Sequence, residues 1–464
     1  MHGWDGQQPV FLHQVSVARN RFRVSLAPPT LIKRAWALFL SGKCGGACVS
    51  NPEVIVVGAG LAGLACARAL VASRVKVLLL EGSDAPGGRV RTDVHEGFLL
   101  DRGFQVYLSA YPEGRRTLDL EALTLRRFAP GAKVWRGGKL HTVADPLRRP
   151  VEALGHLFAP VGTFGDKLRI LELRQLALSG EVEDVWHRPS RTSRRYLDEL
   201  GFTEALRESF LRPFFAGIFL ERELTTSSRF LEFVFRMFSS GYAAVPESGM
   251  GAIPAQLSAR LPSGLLRMRA PVADVWGHRV RLADGELIGA RAVVVATDPA
   301  SAVELLPGMV PPVMNRVTCL YFAAPEPPVE GPWLLLNGEG RGRVNNVAVM
   351  SEVSPAYAPR GQALVSVSVV GATPDLATLQ AEVLAELTDW FGPAVSAWRH
   401  LRTYAIPLAL PAQPPEVLEP PRRPVRLSPG LFVCGDHRDN ASIDGALVSG
   451  RRAAEAVLRE LERE

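Results

Sequence analysis

The sequence predicts an α/β protein: a parallel sheet with helices against it, its chain interrupted by an inserted α+β region. Three observations predict this. A β-branched run, Val54 to Val57, opens into GAGLAG at Gly58 to Gly63 and then into a helical pattern through Leu64, Ala67 and Leu70. A second apolar strand, Val75 to Leu80, ends on Glu81. Far along the chain, Leu431 to Cys434 repeats the strand pattern and runs into Gly435-Asp436 before another helical stretch. Two such units, separated by most of the chain, imply one interleaved architecture that holds an extended dinucleotide.

In chain order, residues 1–50 come first and read as a basic tail. Arg19, Arg21, Arg23, Lys33, Arg34 and Lys43 stand against Asp5 alone, so this leader carries +5 of the chain's net +6. The remaining body is nearly neutral, which argues against a nucleic-acid partner. Pro28 and Pro29 interrupt any periodicity, and the apolar stretch Ala35 to Leu40 is too short for a secretory core or a membrane span. The leader reads as a disordered tail or a misplaced start, with a targeting segment as the other reading. Cys44, Cys48, Cys66, Cys319 and Cys434 form no paired framework, as expected of reduced thiols in a cytoplasmic protein. Cys44 and Cys48 lack a second ligand pair, so no metal site is expected. Cys434 reads as a small core residue.

The cradle follows. Gly58 permits the tight turn, Gly60 lets the backbone approach a pyrophosphate, and Gly63 lets the helix pack on the strand. With Ala59, Leu61 and Ala62 between them, free amides at the helix N-terminus face the phosphates. Glu81, followed by Gly82, stands at the distance where a carboxylate accepts hydrogen bonds from a ribose diol and repels a 2′-phosphate. In the next segment Gly87 and Gly88 offer another close backbone approach. Arg89 sets a fixed charge beside the diphosphate, unless it and Arg91 are a solvated surface pair. EGFLLDRGF reads as turn, strand and turn, where Asp101, Gly103 and Phe104 would set backbone against a ring.

Ala270 to Pro299 reads as strand, hairpin and strand, with a turn at Asp284-Gly285 and a buried strand at Ala292 to Ala296. Tyr111 to about Ala244 reads as mostly helical, with Leu168, Leu171, Leu173, Leu176 and Leu178 in one stretch. From about Ala302 to Pro424, strands are expected at Tyr321 to Ala324 and Val365 to Val370, and a helix between Leu379 and Phe391. Pro325 to Pro328 and Pro411 to Pro424 read as loops. Phe210 to Leu220 and Arg229 to Phe238 are aromatic stretches that suit either core or the wall of an apolar cavity. Pro246 to Pro254 suits a plain crossover or a ligand contact, and Gly445 to Leu461 is the last helix.

Together GAGLAG, Glu81, GGRVRT at Gly87 to Thr92, DRG at Asp101 to Gly103, and Cys434 to Leu458 resemble the flavin-containing amine oxidase superfamily, over roughly residues 52–460. That group includes monoamine oxidases, protoporphyrinogen oxidases and phytoene or carotenoid desaturases. The resemblance implies non-covalent FAD bound by a Rossmann-like domain made of 51–110, 245–301 and 425–464. Residues 111–244 and 302–424 would form the substrate domain. It further implies Val272 at the adenine, Gly435 and Asp436 at the ribityl-phosphate region, and the amide near Ile443 at the isoalloxazine edge. There a helix N-terminus would stabilise the negative charge of the reduced ring.

Simple amine oxidases carry aromatics near the last motif, whereas this chain has Asn440-Ala441-Ser442-Ile443-Asp444. The pattern SIDGALVSGRRAA looks more like the desaturase and protoporphyrinogen oxidase branches. The expected activity is therefore hydride removal from a C–H bond of a large apolar substrate, carotenoid-like or tetrapyrrole-like, onto flavin N5, with a double bond formed. The alternatives are an amine oxidase using molecular oxygen and a non-catalytic flavin-binding protein. The cofactor carries the chemistry, so no catalytic side chain is named; His437 and Asp444 lie near the flavin motif but suit structural roles. The electron acceptor, oxygen or a quinone, is not written in the sequence, nor is the oligomeric state. A peripheral membrane contact would serve to collect an apolar substrate.

Overall fold

The computed structural model describes residues 52–144, 161–371 and 375–463; the basic leader, with Cys44 and Cys48, lies outside them. The short β-branched runs assemble a six-stranded sheet in the order Leu266–Arg267, Val77–Leu80, Val54–Val57, Ala292–Val295, Leu431–Val433, Arg426–Ser428. All pairings are parallel except the last. Val54–Val57 and Ala292–Val295 are buried at every position, as befits central strands covered on both faces. The fold is thus α/β with a parallel sheet built from segments far apart in sequence.

Two helices lie against this sheet. The first, Leu61–Ala72, follows the central strand directly. The last, Ile443–Leu461, starts two residues before the expected boundary because Ser442 caps it, its hydroxyl accepting from the Gly445 amide at 3.0 Å. The helices cross where neither backbone is held apart by a side chain: a Cβ on Gly450 would sit 2.1 Å from the Ala62 carbonyl oxygen. The strand foreseen from Val75 begins at Val77, and Asp284-Gly285 makes its turn between the short strands Arg279–Leu282 and Leu287–Gly289.

A seven-stranded sheet forms the other half, in the order Arg399–Pro411, Met314–Ala324, Ala363–Val370, Asn346–Val349, Leu334–Asn337, Gly131–Arg136, Lys139–Ala144. The last two strands correct the helical reading of Tyr111 to Ala244, as does the short strand Leu125–Arg127. They form a hairpin around Gly137 and Gly138, both with positive φ, and join the sheet through a parallel pairing of Gly131–Arg136 with Leu334–Asn337. The remainder of the segment is largely helical, with helices at Phe164–Leu178, Arg212–Phe219 and Ser228–Ser240. Leu376–Phe391 covers one face of the sheet through Leu379, Val383, Leu387 and Trp390. Ala363–Val370 is consequently buried at all eight positions, although its serines alternate with valines.

Candidate functional site

One cavity of about 1520 Å³ runs between the two halves of residues 52–463. Its first end is the cradle. Gly58 takes φ +102°, and a Cβ there would lie 2.9 Å from the Ala296 carbonyl oxygen, so the turn admits only glycine. At Gly60 a Cβ would meet no atom within 4 Å: the space above this backbone is open to the cavity. The helix Leu61–Ala72 has neither a side-chain cap nor an acidic residue in its first turn, so its amides are left for an anion. Gly60, Leu61 and Ala62 line the cavity, and Gly88 borders it from the opposite loop. Ala59 and Gly63 do not line it. The Ala59 amide donates to Glu81 Oε2 at 2.7 Å, and Gly63 packs under Gly58.

Glu81 faces the same space. Its Oε2 takes the Ala59 amide and its Oε1 the Ser83 amide at 2.9 Å. Each oxygen keeps a second lone-pair direction for a ligand hydroxyl. Gly82 and Val272 continue this wall, as do Thr297, Asp298 and Ser301, which the sequence reading missed. Asp298 caps the helix Pro299–Leu305 by accepting from the Ala300 and Ser301 amides; an Asp immediately before Pro at the end of a buried strand was the available signal.

The distant motifs meet at the middle of the cavity. Arg89 donates to Asp436 at 2.7 Å and to the Ala409 carbonyl at 2.9 Å, so it is not the solvated partner of Arg91, which pairs instead with Asp84. Gly435, Asp436, Gly103, Phe104 and Ile443 line the same stretch. Asp101 does not. Its buried carboxylate accepts from Thr92, the Met250 amide and Tyr357, and burial pushes its pKa up to about 6. It therefore ties loops together behind the wall and sets no group against a ligand. The Gly-rich turn at Pro246 to Pro254 makes that Met250 contact and borders no part of the cavity.

Asp444 and His437 stand behind the cavity wall. Asp444 Oδ1 accepts from the Glu113 and Gly114 amides at 2.8 and 3.0 Å, and burial pushes its pKa up to about 7. His437 is buried over Gly435 with both ring nitrogens lacking a partner among the described residues; burial pushes its pKa down to about 4, so the ring is neutral. Neither lines the cavity. Cys434 is a buried core thiol beside Cys66. Among the described residues no cluster of metal-ligating side chains occurs.

The far end is apolar. Phe210, Phe214 and Ile218 from one aromatic stretch and Val234, Phe235 and Phe238 from the other line it, while Phe215, Phe219 and Phe233 fill the core behind. Phe210 and Phe214 stack at 5.7 Å between ring centroids. The strand Arg399–Pro411 supplies Tyr404 to Leu410 along one side, a contribution hidden in the sequence by Pro407. The open backbone at Gly60, the uncapped helix, the two-sided Glu81 carboxylate and Arg89 suit a dinucleotide whose reactive ring points toward this chamber.

The chain matches the family described as flavin containing amine oxidoreductase over residues 61–458. Among curated proteins it is similar to hydroxyneurosporene desaturase of Cereibacter sphaeroides, 28% identical over 289 residues, 54% of this chain and 57% of that one. It thus spans just over half the length of that relative. Among solved structures it superposes on cyclohexylamine oxidase from Brevibacterium oxydans with a TM-score of 0.66 at 18% identity, covering 89% of this chain and 100% of that one. A putative protoporphyrinogen oxidase from Exiguobacterium gives 0.66 at 19% identity, covering 89% and 99%. At such identities the likeness shows the fold.

Proposed function

This chain belongs to the flavin containing amine oxidoreductase family and is a flavin oxidoreductase; on that premise we propose that it binds FAD non-covalently and oxidises a C–H bond of a large apolar substrate, forming a double bond. One observation carries the reading: the cavity continues without a break from the dinucleotide cradle into a chamber walled by Phe210, Phe214, Phe235 and Phe238. Such a wall binds by burial of apolar surface, at about 25 cal/mol per Å².

Glu81 would hold the adenosine ribose, the amides of Leu61 and Ala62 the diphosphate, and Asp436 with its partner Arg89 the ribityl-phosphate region. The N-terminus of Ile443–Leu461 would stand at the ring edge, and Asp444 would fix it there through the Glu113 and Gly114 amides. Bound flavin supplies the hydride acceptor at N5. The chamber would orient the substrate and exclude water. The similarity to a hydroxyneurosporene desaturase supports a carotenoid-like skeleton, and the fold likeness to a putative protoporphyrinogen oxidase keeps a tetrapyrrole-like one beside it.

No helix among the described residues is long and apolar enough to cross a membrane. A peripheral lipid contact is supported by Phe164, Leu168 and Leu171 on Phe164–Leu178, exposed by 67%, 53% and 38%, with Leu171 also lining the cavity.

The test is anaerobic. Yellow protein is mixed with acyclic polyene precursors, reduced tetrapyrroles or an amine panel, and flavin bleaching is followed; readmitted oxygen or an added quinone then identifies the electron acceptor. Bleaching by a polyene or tetrapyrrole and not by amines is expected. Bleaching by amines alone, with peroxide formed on aeration, overturns the reading. Acid precipitation should leave the flavin in solution; colour held in the pellet would refute non-covalent binding.

A further inference from the structure

We propose that the protein has a second anion site, outside the cavity, where Arg423 and Arg438, with Arg452 beside them, hold a phosphate group. The site is independent of the apolar-substrate reading above, and none of the three arginines lines the cavity.

Four guanidiniums, those of Arg422, Arg423, Arg438 and Arg452, gather where residues 422–424 run beside the turn Asp436–Arg438. The two stretches are tied main chain to main chain: the Arg423 amide donates to the Arg438 carbonyl at 3.1 Å. Arg452, from the last helix, reaches both. Its Nη2 donates to the Arg423 carbonyl at 2.9 Å and its Nη1 to the Arg438 carbonyl at 3.1 Å. Arg438 turns its own Nε to the Pro424 carbonyl at 3.1 Å. Carbonyls orient a guanidinium without cancelling its charge.

Two carboxylates meet this cluster, and both are occupied. Glu183 accepts from Arg422 at 2.7 Å. Asp439 Oδ2 takes Arg452 at 3.0 Å and lies 3.4 Å from Arg422, while its Oδ1 accepts from the Asn440 amide and side chain. Arg423 and Arg438 are left with no acidic partner among the described residues, and the Arg423 guanidinium makes no hydrogen bond to any of them. Four positive charges against two negative leave an excess that equals the charge of hydrogen phosphate. Arg438 registers the imbalance: burial, then the charges of Arg423 and Arg452, push its pKa down to about 10. An anion among them would relieve that repulsion, and the planar fork of arginine matches phosphate oxygens. Arg423 and Arg438 are half-buried, and Arg452 also lines a groove of about 600 Å³ with Pro424, Arg426 and Arg459, which offers an approach. The plainer role, guanidiniums that cap loop carbonyls, accounts for Arg438 and Arg452. It does not account for Arg423, held beside two other cations with no partner of its own.

The experiment uses protein carrying its flavin, so that the cradle at Gly60 is not open to the probe. Inorganic phosphate is titrated at constant ionic strength and followed by calorimetry and by the thermal melt. Saturable binding and a raised melting temperature are expected. Arg423→Met should weaken phosphate about tenfold or more, the loss expected of a charge-assisted hydrogen bond. Its melt without phosphate should match the parent's, because the Arg423 side chain bonds to nothing in the fold. Arg423→Lys should retain part of the affinity. Arg341→Met, which removes an exposed arginine between Leu334–Asn337 and Asn346–Val349, should retain all of it. A second arm separates two sources of the phosphate group. Sedimentation with phosphatidylglycerol vesicles but not phosphatidylcholine vesicles, lost in Arg423→Met, assigns the site to a lipid headgroup; binding of free phosphate alone assigns it to a soluble anion. A parent protein that binds neither phosphate nor phosphatidylglycerol selectively overturns the proposal. Binding that is equally tight in Arg423→Met also overturns it, and neither result bears on the substrate.

Discussion

Replacing Glu81 separates two roles that its geometry combines. In the apoprotein its oxygens accept from the Ala59 and Ser83 amides at 2.7 and 2.9 Å, and these contacts hold the turn in shape. The second lone pair of each oxygen is what a ribose diol would use. Glu81→Gln exchanges one oxygen for an NH₂ group, so one backbone amide then faces a donor. An amide left without an acceptor costs about 1–3 kcal/mol, and the apoprotein should melt at a lower temperature. FAD affinity should fall about tenfold, near the lower limit for one bond to a charged acceptor, because the new NH₂ can still donate to a ribose oxygen. Glu81→Lys removes every acceptor. Two lost bonds of about 1.5–3 kcal/mol each correspond to a hundredfold or more in affinity. Glu96→Lys is the control: Glu96 is exposed and pairs with Arg399 at 2.7 Å, away from the cavity. The assays are flavin fluorescence quenching on the apoprotein and its thermal melt. If Glu81→Lys binds FAD like the parent, the ribose assignment is wrong. If Glu81→Gln melts like the parent, the turn does not depend on the carboxylate as described.

Two further outcomes test the frame. Gly450→Ala puts a Cβ 2.1 Å from the Ala62 carbonyl and 3.0 Å from Ala65 Cβ; overpacking of this kind costs about 1–3 kcal/mol or more. Melting temperature and FAD affinity should fall together, and a variant with parental values would show that the helices separate without cost. Asp101 has its folded pKa raised by burial from 3.8 to about 6, so its contribution favours the folded state at low pH and is lost as pH rises through that window, by about 3 kcal/mol in all. Asp101→Asn does not titrate. In urea unfolding at about pH 4 and about pH 6, its stability relative to the parent should improve with pH; an unchanged difference would contradict the shift.

The glycine cradle was legible because a backbone that must leave room for a ligand writes itself into local sequence. A ligand that touches main chain needs glycines at fixed intervals, and a ribose needs an acid at the end of the next strand. Gly58, Gly60 and Glu81 carry that pattern within 24 residues. Contacts made across the fold left no such trace. Arg89 and Asp436 each stood out locally, but nothing in either neighbourhood says that they bond to one another across 347 positions. The hairpin Gly131–Arg136 and Lys139–Ala144 was available in principle, since Gly137-Gly138 is a turn signal between alternating flanks; the leucines farther along drew the segment toward helix. The aromatic stretches suited core and cavity wall equally, because both demand the same side chains. Only the fold separates Phe214, which faces the space, from Phe215, which does not.

The crossing at Gly450 and Ala62 has a consequence for how the cofactor is gripped. On the proposed FAD reading, the two helices meeting there would present their N-termini to two parts of the same molecule, one to the diphosphate and one to the ring. Clamped backbone to backbone, they act as the fixed jaws of a calliper, whose gauge is set by the polypeptide before any ligand arrives. A cofactor of matching span would then be accepted without rearrangement, and the conformational ordering that otherwise opposes binding would have taken place during folding. A ligand with only one of the two parts, such as AMP, would engage a single jaw and lose the advantage of the fixed gap.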